Sequence, residues 1–229
     1  MKKIFFTIAL SAATLLSAQI DLRSTRYGVT VGGNYSRVSN AHSPSGPRYT
    51  LQGGFVALIP IDNSDQFYIQ PEIVYYGAGE TGNDKNLRSA GSKDAVYGNQ
   101  YISVPLYFKG YFSEAESEFF GMVGPRFNFL VSQKIKNVPV KTPYYSEEGV
   151  DFENIGNVNG KANSFNFGIG LGLGYSYKRQ LELGIRYDIG LSNTYKGLLR
   201  EAEIPGSRAG STKKKSEQVL SVGLSYIFE

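Results

Sequence analysis

The feature that most constrains this chain is a period of two. From Tyr27 onward, large apolar residues recur at alternate positions, with small or polar residues between them. Successive side chains of a β-strand point to opposite faces, so this alternation describes strands with one apolar and one polar side. In "RYGVTVGGNYS", Tyr27, Val29, Val31 and Tyr35 oppose Gly28, Thr30, Gly32, Asn34 and Ser36. The pattern returns over 49–59, 67–76, 101–112, 119–131, 165–177, 181–191 and 220–228, which makes eight strands. After Gln19 there is no helical periodicity of useful length. Nor does any later apolar run approach the roughly 20 residues of a membrane-spanning helix.

The connections alternate strictly between short and long. "DNSDQ" (62–66), "SEAESE" (113–118) and "KRQ" (178–180) are short and polar. The segments near 37–48, 79–99, 132–163 and 193–217 are longer and rich in Gly, Ser, Asn, Lys and Glu. An up-and-down barrel puts odd connections at one end and even ones at the other, and outer-membrane barrels have short periplasmic turns and long extracellular loops. An eight-stranded barrel encloses room for side chains or one small ligand only. The numerous apolar side chains, many of them aromatic, cannot all fit there, whereas the face of Gly, Ser, Asn and Thr can. The apolar face therefore meets lipid. The expected fold is all-β, an eight-stranded antiparallel up-and-down transmembrane β-barrel with a plugged polar interior.

The N-terminus agrees with export. "MKKIFFTIALSAATLLSA" has a short basic start, an apolar run over Ile4–Leu16 and small residues before Gln19, the layout of a secretory signal peptide. The expected organisation is a signal peptide over 1–18, a short periplasmic segment over 19–25 and the barrel over 26–229. Loss of Lys2 and Lys3 reduces the 24 basic residues to 22, against 20 acidic ones. That small excess gives no electrostatic case for nucleic acid. With no cysteine, disulfides, thiolate metal sites and an N-terminal lipid anchor on Cys are excluded.

Alternation alone sends Glu72, Lys109, Arg126, Glu182, Arg186 and Asp188 to the inner face. Charges in so narrow a space are expected to pair, because an unpaired buried charge is costly. A structural network filling the lumen is the expected role; a proton or ion path is the alternative. Gly168, Gly170, Gly172 and Gly174 share this inner face. Their spacing is not G-x-G-x-x-G and no helix follows, so they are not a dinucleotide site. They are expected to make room for bulky neighbours such as Arg126, Arg186 or Tyr107.

Other chemistry is sparse. His42 is the only histidine, beside Ser43 in a Pro/Gly-rich segment, which is poor geometry for a general base and nucleophile. Asp62 and Asp65 lack the Gly and terminal Glu of a calcium loop and read as a solvated turn. "TKKK" (212–215) reads as a solvated loop, with contact to lipopolysaccharide phosphates as the alternative. No catalytic, cofactor-binding or metal site is expected.

"YGVTVGGNYS", "FYIQPEIVYYGAG", "YISVPLYFKGYF", "GMVGPRFNFLVSQK" and "LELGIRYDIGLSN" together resemble the PorT-like outer-membrane β-barrel family of Bacteroidota, over residues 26–228. The distinctive steps are Gln70-Pro71-Glu72, Val104-Pro105-Leu106 and Gly124-Pro125-Arg126. Ser103 stands where many members carry an acidic residue. The resemblance implies an eight-stranded barrel of the OmpA/OmpX kind in the outer membrane. It also raises a link to protein secretion by the type IX system, and it assigns no catalytic or ligand residues. Expected partners are outer-membrane lipid, lipopolysaccharide and the barrel-assembly machinery, which "YIF" near the terminus would suit; envelope or secretion proteins are further candidates. The expected function is that of a non-enzymatic surface protein acting through its long loops. An accessory part of a secretion or transport machine is the alternative, and a lipid-modifying enzyme the third reading.

Overall fold

The computed structural model describes residues 22–39, 45–61, 64–82, 96–136, 162–195 and 215–228. The expected signal peptide, His42, Ser43, Asp62 and residues 212–214 lie outside these. A single 3-10 turn, Leu22–Ser24, precedes eight strands: β1 (Arg26–Val38), β2 (Ser45–Pro60), β3 (Phe67–Gly82), β4 (Val96–Tyr111), β5 (Glu118–Lys136), β6 (Phe165–Tyr177), β7 (Leu181–Gly190) and β8 (Glu217–Ile227). Each pairs antiparallel with its chain neighbour, and β8 pairs with β1, which closes the barrel. Closure leaves no unpaired strand edge, the condition for carrying a backbone through lipid.

The two faces separate as the alternation requires. Tyr27, Val31, Leu51, Phe55, Ile73, Phe119, Leu173, Leu183 and Leu224 point outward and are exposed. Thr30, Asn34, Gln70, Glu72, Ser103, Lys109 and Arg186 point inward and are buried. This is inverted relative to a water-soluble protein, and lipid supplies the missing apolar partner.

Several strands run further than the sequence pattern indicated, four of them by four residues or more. β3 reaches Gly82, β4 begins at Val96, β5 continues to Lys136 and β2 begins at Ser45. About 9–11 tilted residues cross the hydrocarbon, so strands of 16 to 19 residues stand clear of it. Beyond the bilayer the outer face need not be apolar. Along β5 the alternation fades after Phe129, and Ser132, Lys134 and Lys136 are all exposed.

The ladder between β2 and β3 slips once, between Pro47 and Gln52. Side chains serve the carbonyls there: Thr50 Oγ1 donates to Gly77 O and Arg48 Nη1 to Ala78 O, while Ser36 Oγ reaches Gly79 O at 2.9 Å. Gly79 has φ of 114°, and a Cβ at that position would strike the Tyr97 carbonyl, so only glycine fits.

Candidate functional site

The chemistry-bearing residues are stacked along the barrel axis. At the short-turn end the floor is tied by arginines. Arg179 donates to Glu118 at 2.6 Å, to the Asp65 carbonyl at 2.6 Å and to the Ser113 carbonyl at 3.4 Å, drawing three turns together. Arg26 reaches Tyr68 Oη at 3.1 Å. Above them sits an apolar layer of Val56, Leu58, Tyr68, Tyr111, Phe120, Met122 and Ile227.

Three ion pairs follow. Lys109 Nζ meets both Glu182 oxygens at 2.6 and 2.5 Å, and Tyr111 Oη donates to the same carboxylate at 2.6 Å. The ammonium also lies 4.1 Å from the centre of the Phe120 ring, a cation–π contact that offsets its loss of water. Arg186 donates to Glu72 Oε2 at 2.6 Å, and Gln70 Nε2 donates to Oε1 at 2.6 Å. Arg126 Nη1 donates to Asp188, while its Nε and Nη2 reach Ser103 Oγ at 3.3 and 3.1 Å. All six charges anticipated on the inner face are buried, and the pairs join strands distant in sequence: β4 with β7, β7 with β3, and β5 with β7.

The inner glycines of β6 face β5, β4 and β7. A Cβ on Gly170 would lie 2.6 Å from Asp188 Oδ1 and 2.7 Å from Tyr107 Oη. On Gly172 it would lie 2.8 Å from Met122 Cγ and 3.0 Å from Arg186 Cγ; on Gly174 it would strike the Phe120 ring. Gly168 is limited by the Ile189 carbonyl, 2.7 Å away. Arg186 and Tyr107 thus fill the space the glycines leave. Arg126 lies opposite Gly168 in the ladder, and its guanidinium turns to Asp188 and Ser103. Met122 and Phe120 also border the glycines.

Toward the long-segment end the lumen holds Tyr76 stacked on Tyr101 at 5.3 Å, with Val74, Ala78 and Val219. Beyond them lie Arg48, Asn99, Glu80, Tyr195, Lys215 and Glu217, of which the sequence reading picks out Lys215 alone. Lys215, read from sequence as part of a solvated run, is 2 % exposed because it precedes β8 in register with the inward Glu217 and Val219. The signal for these residues existed: inward positions 70, 72, 74, 76 and 78 continue to Glu80. Among the described residues no group of three or more His, Cys, Asp or Glu could hold a metal. On the lipid side a hollow of about 1250 Å³ between Phe67, Phe112, Leu173 and Ile185 is almost wholly apolar. It offers packing space for acyl chains and no reactive group.

A closed barrel of outward apolar and inward polar strands is the geometry against which the known families can be set. The family described as "Outer membrane protein beta-barrel domain" matches residues 17–196, a stretch holding β1 through β7. The chain belongs to that family. It is accordingly an outer-membrane protein. No curated protein matches it. Among solved structures, the outer membrane enzyme PagL is 12% identical, over 90% of this chain and 99% of that one, with a TM-score of 0.42. Ail of Yersinia pestis, solved with the heparin analogue sucrose octasulfate, is 10% identical over 89% and 99%, with a TM-score of 0.42. Neisserial surface protein A is 13% identical over 88% and 97%, with a TM-score of 0.41. Likeness this distant transfers no activity.

Proposed function

We propose that this barrel is a non-enzymatic surface protein: a sealed scaffold that presents its long connections outside the cell. The observation that carries the reading is the asymmetry of the ends. At one end connections 61–66, 112–117 and 178–180 are short; at the other, 39–44 is short too, unlike the long segment near 37–48 that the sequence suggested, but 83–95, 137–164 and 191–216 far exceed what joining adjacent strands requires. The lumen between them is crossed by three buried ion pairs with aromatic layers above and below, an arrangement suited to a plug. Contact with lipopolysaccharide and envelope proteins would then fall to the long connections. Planar-bilayer recording tests the plug: no stable conductance is expected, and a sustained large conductance would overturn it. Mass spectrometry of lipid A from a deletion strain is expected to match wild type; an altered acylation or headgroup pattern would convert the reading to a lipid-modifying enzyme.

The resemblance of its motifs to those of PorT-like barrels favours a second reading, an accessory part of a protein secretion machine. Affinity purification in mild detergent separates the two. Stoichiometric recovery of other envelope proteins supports the machine, and recovery of the barrel alone supports the surface scaffold.

A further inference from the structure

Two small voids interrupt the polar column inside the barrel, and each is bordered by polar atoms that meet no protein partner. The upper void, about 20 Å³, lies among Arg126, Asn128, Asn166, Asp188, Thr194 and Glu217. Thr194 Oγ1 and Glu217 Oε2 are both buried and without a hydrogen-bond partner. The lower void, about 10 Å³, lies among Gln70, Met122, Glu182, Gly184, Arg186 and Ser225. Gln70 Oε1 is buried and likewise unpartnered.

A dry void is expected where the lining is apolar. Where it is polar and holds about 10–15 Å³ or more, a water with two to four partners is favoured, because bare buried acceptors are costly. We propose that each void is a binding site for one structural water, independent of whatever the surface segments bind. The lower water accepts from Arg186 and donates to Gln70 Oε1 and Glu182. It thereby links the Lys109–Glu182 pair to the Arg186–Glu72 pair. The upper water donates to Glu217 Oε2 and Asp188 and accepts from the Thr194 hydroxyl. It carries the network from the Arg126–Asp188 pair toward the mouth. A cation is a poorer occupant: arginine borders both voids, and neither has room for an ion with its shell of oxygens.

Substitutions that change sign between a wet and a dry void test this. A Cβ on Gly184 would sit at ordinary contact distance, 3.5 Å from the Leu173 carbonyl and 3.6 Å from Phe120. In a dry void Gly184→Ala fills space and raises stability; in a wet one it displaces the water and strands Gln70. Gly184→Ser brings its own hydroxyl into the same space and should lose less than alanine. Thr194→Val removes an orphaned hydroxyl if the upper void is dry and a water ligand if it is wet. The full chain would be refolded into dilauroyl phosphatidylcholine vesicles and its heat-modifiable gel mobility followed against temperature. Lower midpoints for Gly184→Ala and Thr194→Val, with Gly184→Ser above Gly184→Ala, support the two waters. An unchanged or raised midpoint for either of the first two overturns the proposal at that void, as does a serine variant weaker than alanine at the lower one. A midpoint that climbs with sodium but not with potassium would replace water by a cation. A high-resolution crystal structure with no density in either void would overturn both.

Discussion

Gly170 and Gly33 both lie within strands, yet they face opposite sides of the barrel wall. A Cβ on Gly170 would collide with Asp188 and Tyr107; a Cβ on Gly33 would meet nothing within 4 Å. The inner face is specified residue by residue, because every side chain there shares a narrow lumen with partners from across the barrel. The outer face meets a fluid solvent and has only to be apolar. Side-chain identity is therefore tightly set inside and loosely set outside, although both faces belong to the same strands.

The sharpest break of that contrast is Gly170→Leu. Leucine would have to displace the Tyr107 ring and the Asp188 carboxylate, which holds Arg126. The expected result is failure to assemble: no heat-modifiable band and loss from the outer-membrane fraction. Normal assembly would mean that the inner face of β6 is not where the register places it.

Next in size is Lys109→Met. Removing one partner of a buried pair leaves the Glu182 carboxylate enclosed with Tyr111 as its remaining side-chain donor, at a cost of about 3–5 kcal/mol. Adding Glu182→Leu should recover most of that loss, since an apolar pair of similar volume is often neutral or stabilising. Urea unfolding in lipid vesicles reads both. A double variant no better than the single one would show that Lys109 acts through its contact with Phe120 rather than through its pairing with Glu182.

This asymmetry also explains what was legible in the sequence. Alternation within the bilayer, where one face must be apolar, marks all eight strands and directs Glu72, Lys109, Arg126, Glu182, Arg186 and Asp188 inward. It loses force where strands leave the lipid, since both faces of a projecting strand may be polar. For that reason the pattern does not mark Glu80 and Glu217 and lets Lys215 read as solvated, although each keeps its neighbours' register. Partner choice inside the lumen was less legible still. Lys109 and Glu182 are 73 positions apart, and period two fixes the face of a residue but not its height along the axis. Height depends on the stagger between strands, which is set by all eight ladders together. Arg126 shows the consequence: it pairs opposite Gly168 in the ladder, yet its long side chain carries the charge away to Asp188.

The smallest expected effect lies on the outer wall, at Gly33→Leu. Gly33 faces outward on β1 opposite Leu51, which is 80 % exposed for want of a neighbouring side chain. Leucine there touches no backbone carbonyl and enters only acyl-chain space. It also shields Leu51, and it lowers the conformational freedom that glycine gives the unassembled chain. Assembly should be normal and the unfolding midpoint at or above that of wild type, the opposite outcome to leucine at Gly170. A barrel that Gly33→Leu destabilised would have to pack this stretch of wall against protein rather than lipid, and the outer face of β1 and β2 would then be as closely specified as the lumen.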